Sequence, residues 1–166
     1  MTQIGEGFAG SGANAAHLNT VLGVKGGPVE TAWTTALATP RAGHVAFLCV
    51  LQPGLAVKPA TLFVNKAPLA GPGHERLTWG AAQAGVAAGT VGALSEGLIS
   101  TAAVDDLLLI AAVWVDPGAD DESAVFENNR RATRDALAAG LHRAPDLADV
   151  LAAGDAARNP FFGPAS

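Results

Sequence analysis

Short apolar or alternating segments, each bounded by glycine or proline, recur along this 166-residue chain with helical stretches between and after them, which confines it to a mixture of sheet and helix. The strand-like segments lie near Gln3 to Phe8, Ala13 to Leu22, Val45 to Gln52, Thr61 to Asn65 and Leu107 to Asp116. Pro28 to Ala38 begins with proline at a first helical position and stops before Pro40 and Gly43, so it reads as a helix. A longer helical stretch spans Leu77 to Leu98, where several glycines cost helix stability but let neighbouring backbones approach closely. The third runs from Asp121 to Leu141, with Asp120 or Asp121 to cap its start and Arg143 near its end. Its Val125, Ala132, Ala136 and Ala139 fall roughly on one face and Arg130, Arg131, Arg134 and Asp135 mostly off it, as for a helix packed by one side on a sheet. A short helical turn at Asp146 to Ala153 and the tail Arg158 to Phe162 complete the chain. With no repeat, linker or boundary between these elements, residues 1–166 are expected to form one domain.

Composition narrows the function. Hydrophobic residues make up 49% of the chain and charged residues only 15%, ample for a core. The net charge is −5 and no basic cluster exceeds the pair Arg130 and Arg131, so the electrostatic footprint of a nucleic-acid or anionic-membrane binder is absent and a small-molecule or protein partner is expected. Cys49 is the sole cysteine, which rules out an intrachain disulfide and a cysteine-based metal cluster within one chain. Met1 to Glu6 lacks the basic and apolar regions of a signal peptide, and the apolar run Leu107 to Val115 is too short to span a bilayer, so a cytoplasmic protein is expected. Low charge with abundant alanine and glycine predicts that apolar surface is buried between subunits of a homo-oligomer.

Several familiar motifs fail their structural tests. Gly5-Glu-Gly7-Phe-Ala-Gly10 matches a dinucleotide-binding pattern literally, but too little chain precedes it for a full strand, and a strand-like segment follows where a helix is needed. These glycines are expected to serve a bend or bulge. His17, His44, His74 and His142 are scattered, without the close spacing of metal ligands on one element, so no metal is expected. Asp105 with Asp106 and Asp120 with Asp121 fall at element boundaries, where carboxylates cap or solubilise. A serine elbow is absent.

What remains is a small set of polar groups in apolar surroundings. In a strand of period two, His17 and Asn19 project from the same face. Histidine titrates near neutrality as a residue type, so one at a partly buried strand position can give or take a proton, although a lone histidine on an apolar strand is ordinarily a packed residue. Lys66 emerges at the end of the strand Thr61 to Asn65, and Gln83 sits in Gly80-Ala-Ala-Gln83-Ala-Gly85; in isolation each reads as an ordinary surface residue.

The blocks Asn14 to Asn19, Lys25 to Pro28, Val57 to Pro59 with Thr61 and Leu62, Asn65 with Lys66, Ala82 to Gly85, Asp105 to Leu107 and Asn159 to Phe161 resemble, in order and spacing, the successive signatures of the formaldehyde-activating enzyme family. The resemblance covers nearly the whole chain. It implies an α/β sandwich: a mixed sheet with helices on one side and a left-handed βαβ crossover, assembled as a ring-shaped homopentamer with pterin sites between subunits. It implies a carbon–oxygen lyase that condenses formaldehyde with tetrahydromethanopterin, giving 5,10-methylene-tetrahydromethanopterin and water, with tetrahydromethanopterin as co-substrate and no tightly bound cofactor.

By the same resemblance His17 matches the family's proton donor, and Asn19, Leu48, Lys66, Pro68 and Gln83 fall at pterin-binding positions. Two of these depart from the best-characterised members, which carry Asp at the position of Asn19 and Thr at that of Pro68. Asn cannot ionise, and Pro68 removes a hydroxyl and a backbone donor. The departures keep a second class open, a paralogue that binds a pterin or one-carbon species as carrier, buffer or sensor; a purely structural oligomer is the third.

Overall fold

The computed structural model describes residues 1–159 of the chain, so Pro160, Phe161 and the remainder of the expected tail lie outside the described residues. Its strands are β1 (Gln3–Ala9), β2 (Ala16–Val24), β3 (Phe47–Leu48), β4 (Val50–Gln52), β5 (Leu55–Ala56), β6 (Ala60–Asn65) and β7 (Leu107–Trp114). Its helices are α1 (Pro28–Ala38), α2 (Pro72–Arg76), α3 (Gln83–Ser95), α4 (Glu122–His142) and α5 (Leu147–Ala153). Five strands form one mixed sheet in the order β1-β2-β7-β6-β3, and β4 pairs with β5 as a separate hairpin. β6 and β7 run parallel, joined through α2 and α3; the other neighbours in the large sheet are antiparallel.

One face of the sheet carries α4, with α3 stacked on α4. Leu18, Phe63, Ala111 and Val113 from the strands pack there with Val86, Ala87, Ala132 and Ala136 from the two helices. Glycines set how close these layers lie. A Cβ at Gly5 would stand 1.8 Å from the carbonyl oxygen of Ala136, and one at Gly7 2.1 Å from that of Ala132, so β1 lies with its backbone against the helix. Gly85 and Gly89 do the same for α3, where a Cβ would meet the carbonyls of Phe126 at 2.4 Å and Arg130 at 2.5 Å. The bend or bulge expected of the Gly5 to Gly10 run is therefore confined to its end. Gly10 turns with φ +84°, whereas the β1 register runs unbroken through Gly5 and Gly7.

The opposite face differs from the expectation of helices on one side only. Gly23 pairs with Leu108 on that face, and Val29 of α1 packs against it, a Cβ at Gly23 coming 2.5 Å from the Val29 side chain. α1 thus covers one end of the second face and leaves the other end open. No helix among the described residues is long and apolar enough to cross a membrane.

Element boundaries shift for local reasons. The run Val45 to Gln52 splits at Cys49, whose N–H donates to the Thr61 carbonyl while its own carbonyl accepts from Val57, so its two sides enter different sheets. The stretch Ala13 to Leu22 starts later, at Ala16, because Gly12 to Asn14 form a 3-10 turn. The helix expected over Leu77 to Leu98 begins with α2, passes through a wide π turn at Leu77–Ala82 and continues as α3 to Ser95. Gly97 ends it with φ +76°, donating back to the Leu94 carbonyl, a left-handed cap that glycine adopts without a Cβ clash.

α4 starts where expected. Asp121 accepts from the N–H of Ala124 at 3.0 Å, while Asp120 is taken up by Asn14. The Asn14 amide oxygen in turn accepts from the N–H groups of Asp120 and Asp121, and its backbone carbonyl accepts from Asn128. The chain between β1 and β2 is thereby fastened to the N-terminal turn of α4.

Candidate functional site on the open sheet face

Register decides which residues lie on this second face. Phe8, His17 and Trp114 form one cross-strand row. Glu6, Asn19, Ala112 and Val64 form the next, and Ile4, Val21, Ile110, Leu62 and Leu48 the one after. His17, Asn19 and Leu48, three of the residues read from the sequence, therefore share this face. The alternation that buries Ala16, Leu18 and Thr20 against the helices turns His17 and Asn19 outward, each half-buried.

His17 lines an open groove of about 600 Å³ with Glu6, Phe8, the turn Gly10 to Gly12, and Arg158 and Asn159. Its imidazole is held on two sides. Nε2 stands 3.1 Å from Oε1 of Glu6, and the Phe8 ring meets it edge-on with centroids 6.1 Å apart. Both partners come from β1, Phe8 directly opposite His17 and Glu6 diagonally across the ladder. Both side chains of the ion pair keep solvent contact, 43% exposed for His17 and 58% for Glu6, so the pair orients the ring more than it stabilises the fold.

Lys66 continues the parallel ladder one residue past β6, its N–H donating to the Val113 carbonyl at 2.7 Å, which brings it level with Trp114. It is exposed, at a strand end as the sequence indicated. Pro68 is exposed in the loop that follows. That loop is latched by Asn65, whose Nδ2 donates to the carbonyls of Gly43 at 2.7 Å and Ala67 at 2.8 Å, while His44 Nδ1 donates to the Asn65 carbonyl.

Gln83 lies elsewhere. It begins α3, in the layer on the far side of the sheet from His17, and is 7% exposed rather than a surface group. Its Nε2 donates to the Val50 carbonyl at 2.9 Å, tying α3 to the β4–β5 hairpin. The same amide hydrogen-bonds the neighbouring Cys49, whose thiol burial pushes up to about 12 against the lowering effect of that bond. Within one chain, His17 and Gln83 lie on opposite sides of the sheet.

Other sequence-marked groups find structural partners. Asp105 pairs with Lys58 at 2.5 Å, and that ammonium holds the Asp105 carboxyl below its ordinary range. His74 is held inside the protein, its Nε2–H donating to the Val115 carbonyl and its Nδ1 accepting from the Ala70 N–H. Among the described residues no three His, Cys, Asp or Glu side chains converge as a metal site would require. Glu6 and Phe8 escaped the reading of the sequence. The alternation of β1 was visible there, but not which of its residues stand beside His17.

Fold and groove together define a mixed α/β protein that presents an imidazole, an amide and a carboxylate at the uncovered end of one sheet face. The sequence profile described as formaldehyde-activating enzyme (Fae) matches residues 4–162. The 5,6,7,8-tetrahydromethanopterin hydro-lyase of Methanosarcina barkeri is 37% identical over 160 residues, 96% of this chain and 90% of that protein. The bifunctional enzyme Fae/Hps of Methanosarcina mazei is 34% identical over 98% of this chain, and that of Methanococcoides burtonii 36% over 98%. This chain spans 42% and 41% of the length of those two relatives. The chain belongs to the formaldehyde-activating enzyme family.

Proposed function

We propose that this protein condenses formaldehyde with tetrahydromethanopterin to 5,10-methylene-tetrahydromethanopterin and water, with His17 as general acid. The observation that carries the reading is an exposed imidazole in an open groove of a chain matched to the family over residues 4–162. A pterin nitrogen adds to formaldehyde to give a carbinolamine, whose hydroxyl leaves poorly until protonated. Protonation by His17 releases water and leaves an iminium carbon; the second pterin nitrogen closes on it and gives up its proton, completing the methylene bridge. Holding both nitrogens near that carbon supplies the proximity advantage.

The reading includes the family's ring-shaped homopentamer, with sites between subunits, the left-handed crossover for β6 to β7, and a cytoplasmic location. The placement of His17 and Gln83 in different layers supports an intersubunit site, since a pterin touching both needs groups from two copies. In that site Asn19 and Leu48 line the pterin from the His17 face, while Lys66, Pro68 and Gln83 contact it as the resemblance implies.

The test is the rate of methylene-tetrahydromethanopterin formation against the uncatalysed background. A rate well above background that falls at least about a hundredfold in His17→Ala is expected; a rate unchanged by that substitution overturns the role. A second reading, a binding paralogue acting as carrier, buffer or sensor, is favoured by Asn19 and Pro68. It predicts measurable pterin binding with formaldehyde consumed no faster than in buffer.

A further inference from the structure

We infer that Glu6 is the positioning residue of His17, and that the Gly5-Glu6-Gly7 segment exists to seat its carboxylate. The inference rests on His17 being the acid. Glu6 lies between two glycines whose backbones are pressed on α4, with no room for a Cβ at either. β1 therefore cannot slide or lift at Glu6 without opening the sheet from the helix, and strand alternation turns Glu6 to the open face. There its Oε1 meets His17 Nε2 at 3.1 Å, with the Phe8 edge limiting the ring from the side. The anchor of Asn14 to Asp120, Asp121 and Asn128 holds the connection between the two strands, so both ends of the pair are referred to the same helix.

The geometry assigns the two ring nitrogens different work. Nε2–H donates to the Glu6 carboxylate, a charge-assisted bond while the ring is protonated, and Nδ1–H is the proton delivered to the carbinolamine hydroxyl. Once the C–O bond breaks and water leaves, the ring is neutral with its proton on Nε2, the tautomer that Glu6 favours. Nδ1 is then free to take the proton released when the second nitrogen closes on the iminium carbon, which restores the imidazolium. Asn19, opposite Glu6 in the ladder, is an amide, so Glu6 is the carboxylate beside this imidazole.

The experiment compares wild type, Glu6→Gln, Glu6→Asp, His17→Ala and the Glu6→Gln/His17→Ala double variant for kcat and KM in the condensation. Glu6→Gln should lower kcat about ten- to a hundredfold, the range for a lost hydrogen bond to a charged group, with KM for tetrahydromethanopterin and the thermal midpoint unchanged. Glu6→Asp should recover part of the loss. In the His17→Ala background Glu6→Gln should cost nothing further, because Glu6 acts through His17. A Glu6→Gln enzyme with wild-type kcat, or an equal loss with and without His17, overturns the inference while leaving His17 as the acid. A wild-type rate in His17→Ala overturns both. Independently of turnover, ¹⁵N spectra of the neutral His17 ring should show the proton on Nε2, and a proton on Nδ1 refutes the pairing.

Discussion

Glu6 stands directly opposite Asn19 in the β1–β2 ladder, and its carboxylate reaches past Asn19 to the imidazole one row along. Asn19→Asp would put two carboxylates face to face across that ladder. Like charges directly opposite destabilise a strand pair, so the variant should lose about 0.2–1 kcal/mol in urea unfolding. Adding Glu6→Gln should restore most of it. A fully stable Asn19→Asp protein would mean that the two side chains turn apart.

Two glycine substitutions should move stability in opposite directions. Gly7→Ala drives a Cβ to 2.1 Å from the Ala132 carbonyl, a backbone atom that cannot step aside, and should cost about 3 kcal/mol or prevent folding. Gly92→Ala, where α3 lines an open groove against α4, meets nothing within 4 Å and should stabilise by about 0.5–1 kcal/mol through helix propensity. Thermal unfolding of the two proteins side by side reads both signs.

The Asn14 brace should be worth more than one surface hydrogen bond. Asn14→Ala removes the acceptor for the N–H groups of Asp120 and Asp121 at 3.0 and 3.1 Å and frees the entry to α4. A loss of about 1–2 kcal/mol is expected, similar to the loss of a helix cap. Faster amide exchange in the first turn of α4 would locate the effect.

Cys49 should be inert in the folded protein. Burial pushes its thiol from 9.0 up to about 12, so the thiolate that alkylating reagents require is scarce at pH 8. Iodoacetamide should label it only after unfolding. Because the folded value lies above the unfolded one, the neutral thiol's contribution to stability is complete below pH 9 and is lost as pH rises towards 12. Cys49→Ala should make the alkaline fall in unfolding midpoint shallower over that window.

Much of the architecture was legible from local pattern. The helix Pro28 to Ala38, the long helix beginning after Asp121 and the strands at Gln3, Thr61 and Leu107 follow from periodicity, proline placement and capping, which act over a few residues. The split at Cys49 was not legible. An apolar run looks continuous until its N–H and C=O find partners on different strands. The glycines of β1 were visible as a pattern but not as a contact, because the atoms they make room for lie on a helix more than a hundred residues away in sequence.

The site divides in the same way. Residue type and spacing place His17 and Asn19 on one face of a strand, and the succession of family blocks names the chemistry, since both are properties of neighbouring positions along the chain. Pairing register is a property of two segments at once. Only the folded sheet sets Glu6 and Phe8 beside His17, puts Leu48 on the same face and sends Gln83 to the other layer, because those relations depend on which strand meets which, and at what offset, once the apolar faces have been buried.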